Sequence, residues 1–293
     1  MAGVLITGTS KGIGFETALA FGRAGHNVQA TMRNPSQSPV LSQIAAREKL
    51  PITVSPMDVD SDQSVSQAIK TILKDHGPID VLVNNAGVER AGSVEELPMA
   101  DFRAVMETNY FGAIRCIQAL LPQMRQRRSG CIINVTSIGG RISSAPLTPY
   151  NASKWALEAL SEGLAGEMKT FNVRVAIVEP GIIDTAMARR MGDEAADSPY
   201  RQRARFTFLF RTALQNPAHP SIVAQKILEI AENGTWQLRH PVGPDAVPFI
   251  EWRRQMTDEQ WVDLNASDDE TWYRNLERDF GLDTRPTNKR RSA

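Results

Sequence analysis

The sequence predicts an α/β protein: a Rossmann-type, doubly wound parallel sheet in a single domain with a C-terminal helical extension. Three observations predict it. Short apolar runs alternate with helix-length amphipathic segments from Val4 to Val178, the βαβ rhythm of a parallel sheet. The runs are nearly continuous in Val, Ile and Leu, which suits strands buried on both faces. At 293 residues and 42% hydrophobic content the chain can fill one large core.

In chain order, the strand-like runs are Val4–Ile6, Asn27–Thr31, Ile52–Pro56, Val81–Val83, Cys131–Val135 and Val173–Val178, each followed by a segment of helical length. From Gly181 to about Asn216 the rhythm breaks into a Met-, Arg- and Phe-rich stretch holding Met187, Met191, Phe206, Phe208 and Phe210. It reads as a mobile segment covering a substrate, or as a surface helix pair with buried aromatics. A helix over Ile222–Glu232 precedes a Pro- and Gly-punctuated turn at His240–Pro248 and a Trp-rich polar tail, Trp252–Tyr273, which says little about chemistry. The basic Lys289-Arg290-Arg291 reads as a solvated, frayed end.

Charge narrows the partners. With 33 basic and 33 acidic residues the net charge is zero, so nucleic acid and anionic membrane are not expected; the Arg125–Arg128 and Arg201–Arg205 stretches are scattered charge. Cys116 and Cys131 lack metal-ligand spacing, and a core of this size needs no disulfide, so a reducing cytoplasm is expected. Met1-Ala2-Gly3 runs directly into the first apolar run, so neither export nor membrane insertion is expected.

Directly after the first strand comes Thr7-Gly8-Thr9-Ser10-Lys11-Gly12-Ile13-Gly14, opening a helix. Glycines there let the backbone approach a pyrophosphate, which the free amides and dipole of the helix N-terminus stabilise; a plain tight βα connection has the same pattern. The second strand ends Ala30-Thr31-Met32-Arg33-Asn34 without the acid that would bind the ribose hydroxyls of NAD. Arg33 and Lys11 could instead hold a 2′-phosphate, favouring NADP(H) over NAD(H), unless both are solvated surface cations.

Tyr150 and Lys154, in Tyr150-Asn151-Ala152-Ser153-Lys154, stand four apart on one helix face. A free phenol has a pKa near ~10, so acid–base work at neutral pH needs a stabilised phenolate, and a neighbouring ammonium supplies that. Ser137 follows a strand end, where side chains reach the ligand crevice, and its hydroxyl could hydrogen-bond a carbonyl oxygen. Asn84-Asn85-Ala86-Gly87 ends another strand in a small-residue turn with room for a flat cofactor. Asn109 is a polar residue in an apolar helix and could be only a satisfied core amide.

This ordered set, TGTSKGIG, NNAG, Asn109, Ser137, YNASK and Pro180-Gly181 with Thr185, resembles the short-chain dehydrogenase/reductase family over roughly residues 3 to 190. The resemblance implies that Tyr150 is the proton donor in reduction and the base in oxidation. Lys154 would bind the nicotinamide ribose and lower the Tyr150 pKa, Ser137 would orient the substrate oxygen, and Asn109 would hold a water in a proton relay to Lys154. Gly8 to Gly14, Thr9, Ser10, Lys11, Gly12 and Ile13 included, would hold the pyrophosphate. Asp58-Val59 would contact the adenine, and Asn85-Ala86-Gly87 would flank its ribose. Pro180, Gly181, Ile182 and Ile183 with Thr185 would close over the nicotinamide and phosphates.

The expected layout is then an NADP-binding catalytic domain over residues 1–245, with a substrate lid over about 182–216, and an extension over 246–293. Within the family the chain is most similar to NADP-preferring hydroxysteroid and retinol dehydrogenases. A pocket lined by Val88, Ile138, Thr148, Ile182 and the Met187–Phe210 segment suits a bulky apolar ketone or alcohol, so the expected activity is carbonyl reduction. The alternative is a noncatalytic NADP(H)-sensing protein on the same fold, which a broken Ser–Tyr–Lys set would have favoured. Apolar surface at Phe111, Ile114 and Ile117 and at Trp155, Leu157 and Leu160 predicts a homodimer or homotetramer.

Overall fold

The computed structural model describes residues 1–193 and 198–286. Among them seven strands pair in one parallel sheet. These are β1 (Gly3–Thr7), β2 (Asn27–Met32), β3 (Ile52–Pro56), β4 (Val81–Asn84), β5 (Gly130–Val135), β6 (Val173–Pro180) and β7 (Arg239–Val242). Their spatial order is β3-β2-β1-β4-β5-β6-β7. The winding reverses between β1 and β4, opening a crevice at the carboxyl ends of those strands.

Alternation along β1 shows how the sheet is buried. Val4 and Ile6 face one apolar layer, with Phe21 of α1 (Gly12–Arg23), Leu41 of α2 (Val40–Glu48) and Ile227 of α9 (Ser221–Asn233). Leu5 faces the other, with Ile69 of α3 (Asp62–His76), Leu120 of α5 (Gly112–Arg127) and Leu164 of α6 (Thr148–Lys169). All three β1 residues are wholly buried, so a polar residue on either face would meet a dry helix layer.

The predicted runs coincide with the first six strands to within a residue or two. β7 was not predicted: residues 240–242 read as the start of a turn because Pro241 removes a donor, and the sheet tolerates it because β7 is an edge strand. The 181–216 stretch is a helix pair, α7 (Ala186–Met191) and α8 (Arg201–Ala213); residues 194–197 of the expected lid, and Lys289-Arg290-Arg291, lie outside the described residues. The tail is not merely polar. It folds as α10 (Ala246–Arg254), α11 (Asp258–Ala266) and α12 (Asp269–Phe280), opened by Thr257 and Asp268 caps, around Phe249, Trp272, Tyr273 and Leu276.

Of the residues expected to drive self-association, Ile117 and Leu157 belong inside, 5% and 1% exposed, whereas Phe111 and Trp155 are open at 44% and 49%. No described helix is long and apolar enough to cross a membrane.

Candidate active site

β1 delivers the chain into the glycine turn, where Gly8 and Gly12 take φ of +71° and +65°, a region that penalises any Cβ. A Cβ on Gly8 would lie 2.7 Å from the Ala86 Cα, and one on Gly14 would lie 2.5 Å from the Gly8 carbonyl oxygen. The turn is stitched to the end of β4. The Thr7 hydroxyl accepts from the Asn85 and Ala86 amides, both at 3.0 Å, and Asn85 Nδ2 donates to the Thr7 and Gly8 carbonyls at 2.9 and 3.1 Å. Helix α1 starts without a side-chain cap or a first-turn acid, leaving amides and positive dipole for an anion. Thr9 turns inward instead, its amide and hydroxyl both bonded to the Thr31 carbonyl.

Lys11 and Arg33 are exposed and have no ion-pair partner among the described residues, and both border the crevice. At the end of β3, the Asp58 amide donates to Ser64 Oγ and its carboxylate accepts from the Asp60 amide. The Asp60 carboxyl borders the same crevice. Burial pushes it above the usual carboxylate range, against a hydrogen bond from Thr108 and the charge of Arg33.

Helix α6 carries Tyr150 and Lys154 one turn apart, with the Lys154 Nζ 5.7 Å from the Tyr150 ring centroid. Nζ donates to the Val135 carbonyl at 2.9 Å. Ser137 Oγ accepts from the Gly139 amide at 3.0 Å and faces the Pro180 carbonyl at 3.4 Å. Burial pushes the Tyr150 phenol up to about 12; Ser137 draws it down and Glu89 pushes it further up. Burial also brings Lys154 down to about 8, partly offset by Glu158. Among the protein's own groups, then, Tyr150 stands high, where the resemblance implied a phenol lowered by Lys154.

Asn109 lies in a π-helical turn, Glu107–Phe111. Its Oδ1 accepts from the Val88 amide at 2.8 Å, and its Nδ2 donates to the Val88 carbonyl and Ser153 Oγ, both at 2.9 Å. This side chain is the satisfied amide and does not border the cavity. It sits beside Lys154 all the same: a Cβ on Gly87 would come 3.3 Å from Asn109 Oδ1 and 3.6 Å from Lys154 Nζ.

Pro180 ends β6, and with Gly181, Ile183 and Thr185 after it borders the crevice, where Thr185 Cγ2 lies 3.4 Å from the place a Cβ on Gly12 would take. The Thr185 hydroxyl caps α7 through the Ala188 amide at 3.1 Å. Asp245, which sequence reasoning missed, accepts from the Ile182 amide at 2.7 Å and packs against Gly181. No local motif marks it, since it lies more than sixty residues downstream in sequence.

One cavity of about 460 Å³ joins these parts. It brings together Gly8, Ser10, Lys11, Gly12 and Ile13, then Arg33, Asp58, Val59, Asn85, Ala86 and Gly87, and Ser137, Tyr150 and Lys154. Thr9, Gly14 and Asn109 shape it from behind. Of the expected pocket wall, Val88, Ile138, Ile182, Met187, Met191, Phe206 and Phe210 line it. Thr148 and Phe208 do not: Thr148 lies at the first position of α6, and Phe208 turns to Arg211. The Glu89–Arg190 pair on its rim, at 2.8 Å, and the tail residues Phe249, Trp252, Trp261, Trp272 and Leu276 were not foreseen.

A family model described as short chain dehydrogenase matches residues 2–196. The chain belongs to the short-chain dehydrogenase family. This short-chain dehydrogenase is 34% identical over 269 residues to an oxidoreductase of Botryotinia fuckeliana, covering 89% of this chain and 97% of that one. It is 35% identical to retinol dehydrogenase 8 of Bos taurus, covering 84% and 83%. A solved short-chain dehydrogenase from Streptomyces avermitilis superposes with a TM-score of 0.76 at 33% identity, covering 94% of this chain and 97% of that one. A gluconate 5-dehydrogenase from Burkholderia cenocepacia, in complex with NADP and tartrate, superposes with a TM-score of 0.73 at 25% identity, covering 84% and 95%. Membership makes the chain an oxidoreductase of the dehydrogenase/reductase class, built on a fold that binds nicotinamide cofactors.

Proposed function

We propose that this short-chain dehydrogenase interconverts a bulky apolar ketone or aldehyde and its alcohol with NADP(H), running mainly as a reductase. The observation that carries the reading is that Ser137, Tyr150 and Lys154 open into the same cavity as the glycine turn. The cradle fits a dinucleotide: backbone packs where a Cβ on Gly8 or Gly14 would lie, and the start of α1 is uncapped. Lys11 and Arg33, exposed at the cavity and without an ion-pair partner among the described residues, would hold a 2′-phosphate, and the NADP complex of the Burkholderia cenocepacia relative is in keeping with this. Asp58-Val59 would meet the adenine, Asn85, Ala86 and Gly87 its ribose, and Pro180, Gly181, Ile183 and Thr185 the nicotinamide end.

When bound, NADPH supplies the hydride that reaches the carbonyl carbon. Tyr150, kept protonated by burial, would donate its proton to the carbonyl oxygen as charge develops there. The Ser137 hydroxyl would hydrogen-bond that oxygen. The Lys154 ammonium would hold ribose hydroxyls and stabilise the phenolate left behind. Asn109, its amide committed to Val88 and Ser153, would act by fixing the Gly87-Val88 backbone against Lys154, rather than by offering its own amide to a relay water.

Residues 1–245 would form the catalytic unit, with about 182–216 as substrate lid and 246–293 as an extension whose described helices, α10–α12, close the pocket. Phe111 and Trp155 would meet a second copy of the chain in a homodimer or homotetramer, in a cytoplasmic setting. The reading is tested by following loss of reduced-nicotinamide absorbance with a panel of aliphatic, aromatic and polycyclic ketones. Turnover is expected with NADPH, at least tenfold faster in kcat/KM than with NADH; faster turnover with NADH would overturn the cofactor assignment.

A further inference from the structure

We propose that the three C-terminal helices are the substrate-recognition element of this enzyme, and that they select an extended, apolar carbonyl compound whose body packs against the Trp252 and Trp261 rings, which stand at 85° to each other. The proposal rests on the carbonyl-reductase reading and names the substrate class of that site.

Position comes first. The aromatic cluster of α10–α12 packs against Ile138 and Ile182, which immediately follow Ser137 and Gly181, so its wall begins where the reacting carbonyl would sit. Trp252, Trp261 and Trp272 line the same cavity as Tyr150. The cap is also fastened to the catalytic frame. Trp261 Nε1 donates to the Ser143 carbonyl at 2.8 Å, in the loop between Ser137 and Tyr150. Arg205 of α8, 2% exposed, reaches across to the Asp269 carboxylate and the Asn265 and Ser267 carbonyls.

The side-chain donors of this region are largely spent on one another, and that narrows the ligand's chemistry. Trp252 Nε1 donates to Asp279 at 2.9 Å, Gln202 Nε2 to the Asn265 carbonyl at 3.1 Å and Asn265 Nδ2 to the Trp261 carbonyl at 2.8 Å. All three guanidinium nitrogens of Arg205 are engaged. Among the described residues the Trp272 N–H has no partner, but it is fully buried and so adds no donor at the cavity surface. What this half of the cavity offers a substrate is mostly ring surface. Trp252 is held edge-on by Trp261 and Phe280, with centroids 5.5 and 5.1 Å away and interplanar angles of 85°. Rings fixed in this way give a rigid wall that favours extended apolar bodies over branched polar ones.

The test compares kcat/KM for NADPH-dependent reduction of a steroidal ketone and of cyclohexanone, in the unmodified protein and in Trp252→Leu. The ratio of steroidal ketone to cyclohexanone is expected to fall at least tenfold in the variant, through KM. A ratio that stays within twofold would overturn the proposal. Trp261→Phe, which keeps the ring and loses the bond to Ser143, guards against collapse of the cap: it is expected to hold the ratio within about threefold, and an equal loss in both variants counts against recognition by the rings. If the unmodified protein reduces neither ketone, the reductase reading fails, and the cap is judged by binding alone. Saturable quenching of tryptophan emission by the steroidal ketone, weakened at least tenfold in Trp252→Leu, would support it; no quenching would sink it.

Discussion

Lys154 is 4% exposed, and burial brings its ammonium down to about 8 from an ordinary 10.5. Below pH 8 it is charged in both the folded and the unfolded chain. Between 8 and 10.5 the unfolded chain keeps a proton that the folded chain has released, so the folded state gains stability as pH rises through that window. Urea unfolding at pH 7 and pH 10 is therefore expected to show the native protein gaining about 2–3 kcal/mol relative to Lys154→Met. Activity runs the other way, because the proposed role needs the cation: kcat/KM for reduction should fall above about pH 8. Arg33 is exposed and tests cofactor choice. A charge-assisted bond to a phosphate is worth about 1.5–3 kcal/mol, so Arg33→Ala should cut the NADPH-over-NADH preference in kcat/KM by at least tenfold. That Tyr150, Lys154 and Ser137 share one cavity was legible because they come with fixed spacings and strand ends. The direction of the Tyr150 shift was not, since desolvation by Met191 and Phe206 depends on a helix pair far along the chain.

At the level of elements, the glycine turn and the end of β4 form one unit, and Gly14 has the least room. With backbone oxygen 2.5 Å from where a Cβ would sit, Gly14→Ala forces α1 away from the turn. It should cost about 2–3 kcal/mol in thermal unfolding and weaken NADPH binding at least tenfold by calorimetry. Six strands could be read from apolar runs alone, because strands buried on both faces leave little choice of residue. β7 could not: four residues containing Pro241 carry no run, and only pairing with β6 makes them a strand.

For the molecule as a whole, the tail is where sequence and structure part most. The many charges set among Trp252, Trp261 and Trp272 in the tail hid an apolar face that is visible only when α10–α12 pack on Ile138, Ile142 and Leu209. Arg205, in the Arg201–Arg205 stretch that reads in sequence as scattered charge, is the largest of the fully buried side chains among the described residues. Its Asp269 partner remains half exposed, so loss of Arg205 strands backbone carbonyls more than a buried charge. Arg205→Leu should lower stability by about 2–4 kcal/mol in thermal melts and should reduce turnover of large ketones before that of small ones.

In the proposed reaction Tyr150 moves the proton, in a site that binds NADPH independently of it. Calorimetric NADPH binding and single-turnover ketone reduction, measured side by side on the native protein and Tyr150→Phe, test this role most directly. NADPH affinity is expected to stay within about threefold and the reduction rate to fall by at least a thousandfold, a loss of about 4 kcal/mol in transition-state stabilisation. A Tyr150→Phe protein that binds NADPH normally and still reduces the ketone within tenfold of the native rate would contradict this role.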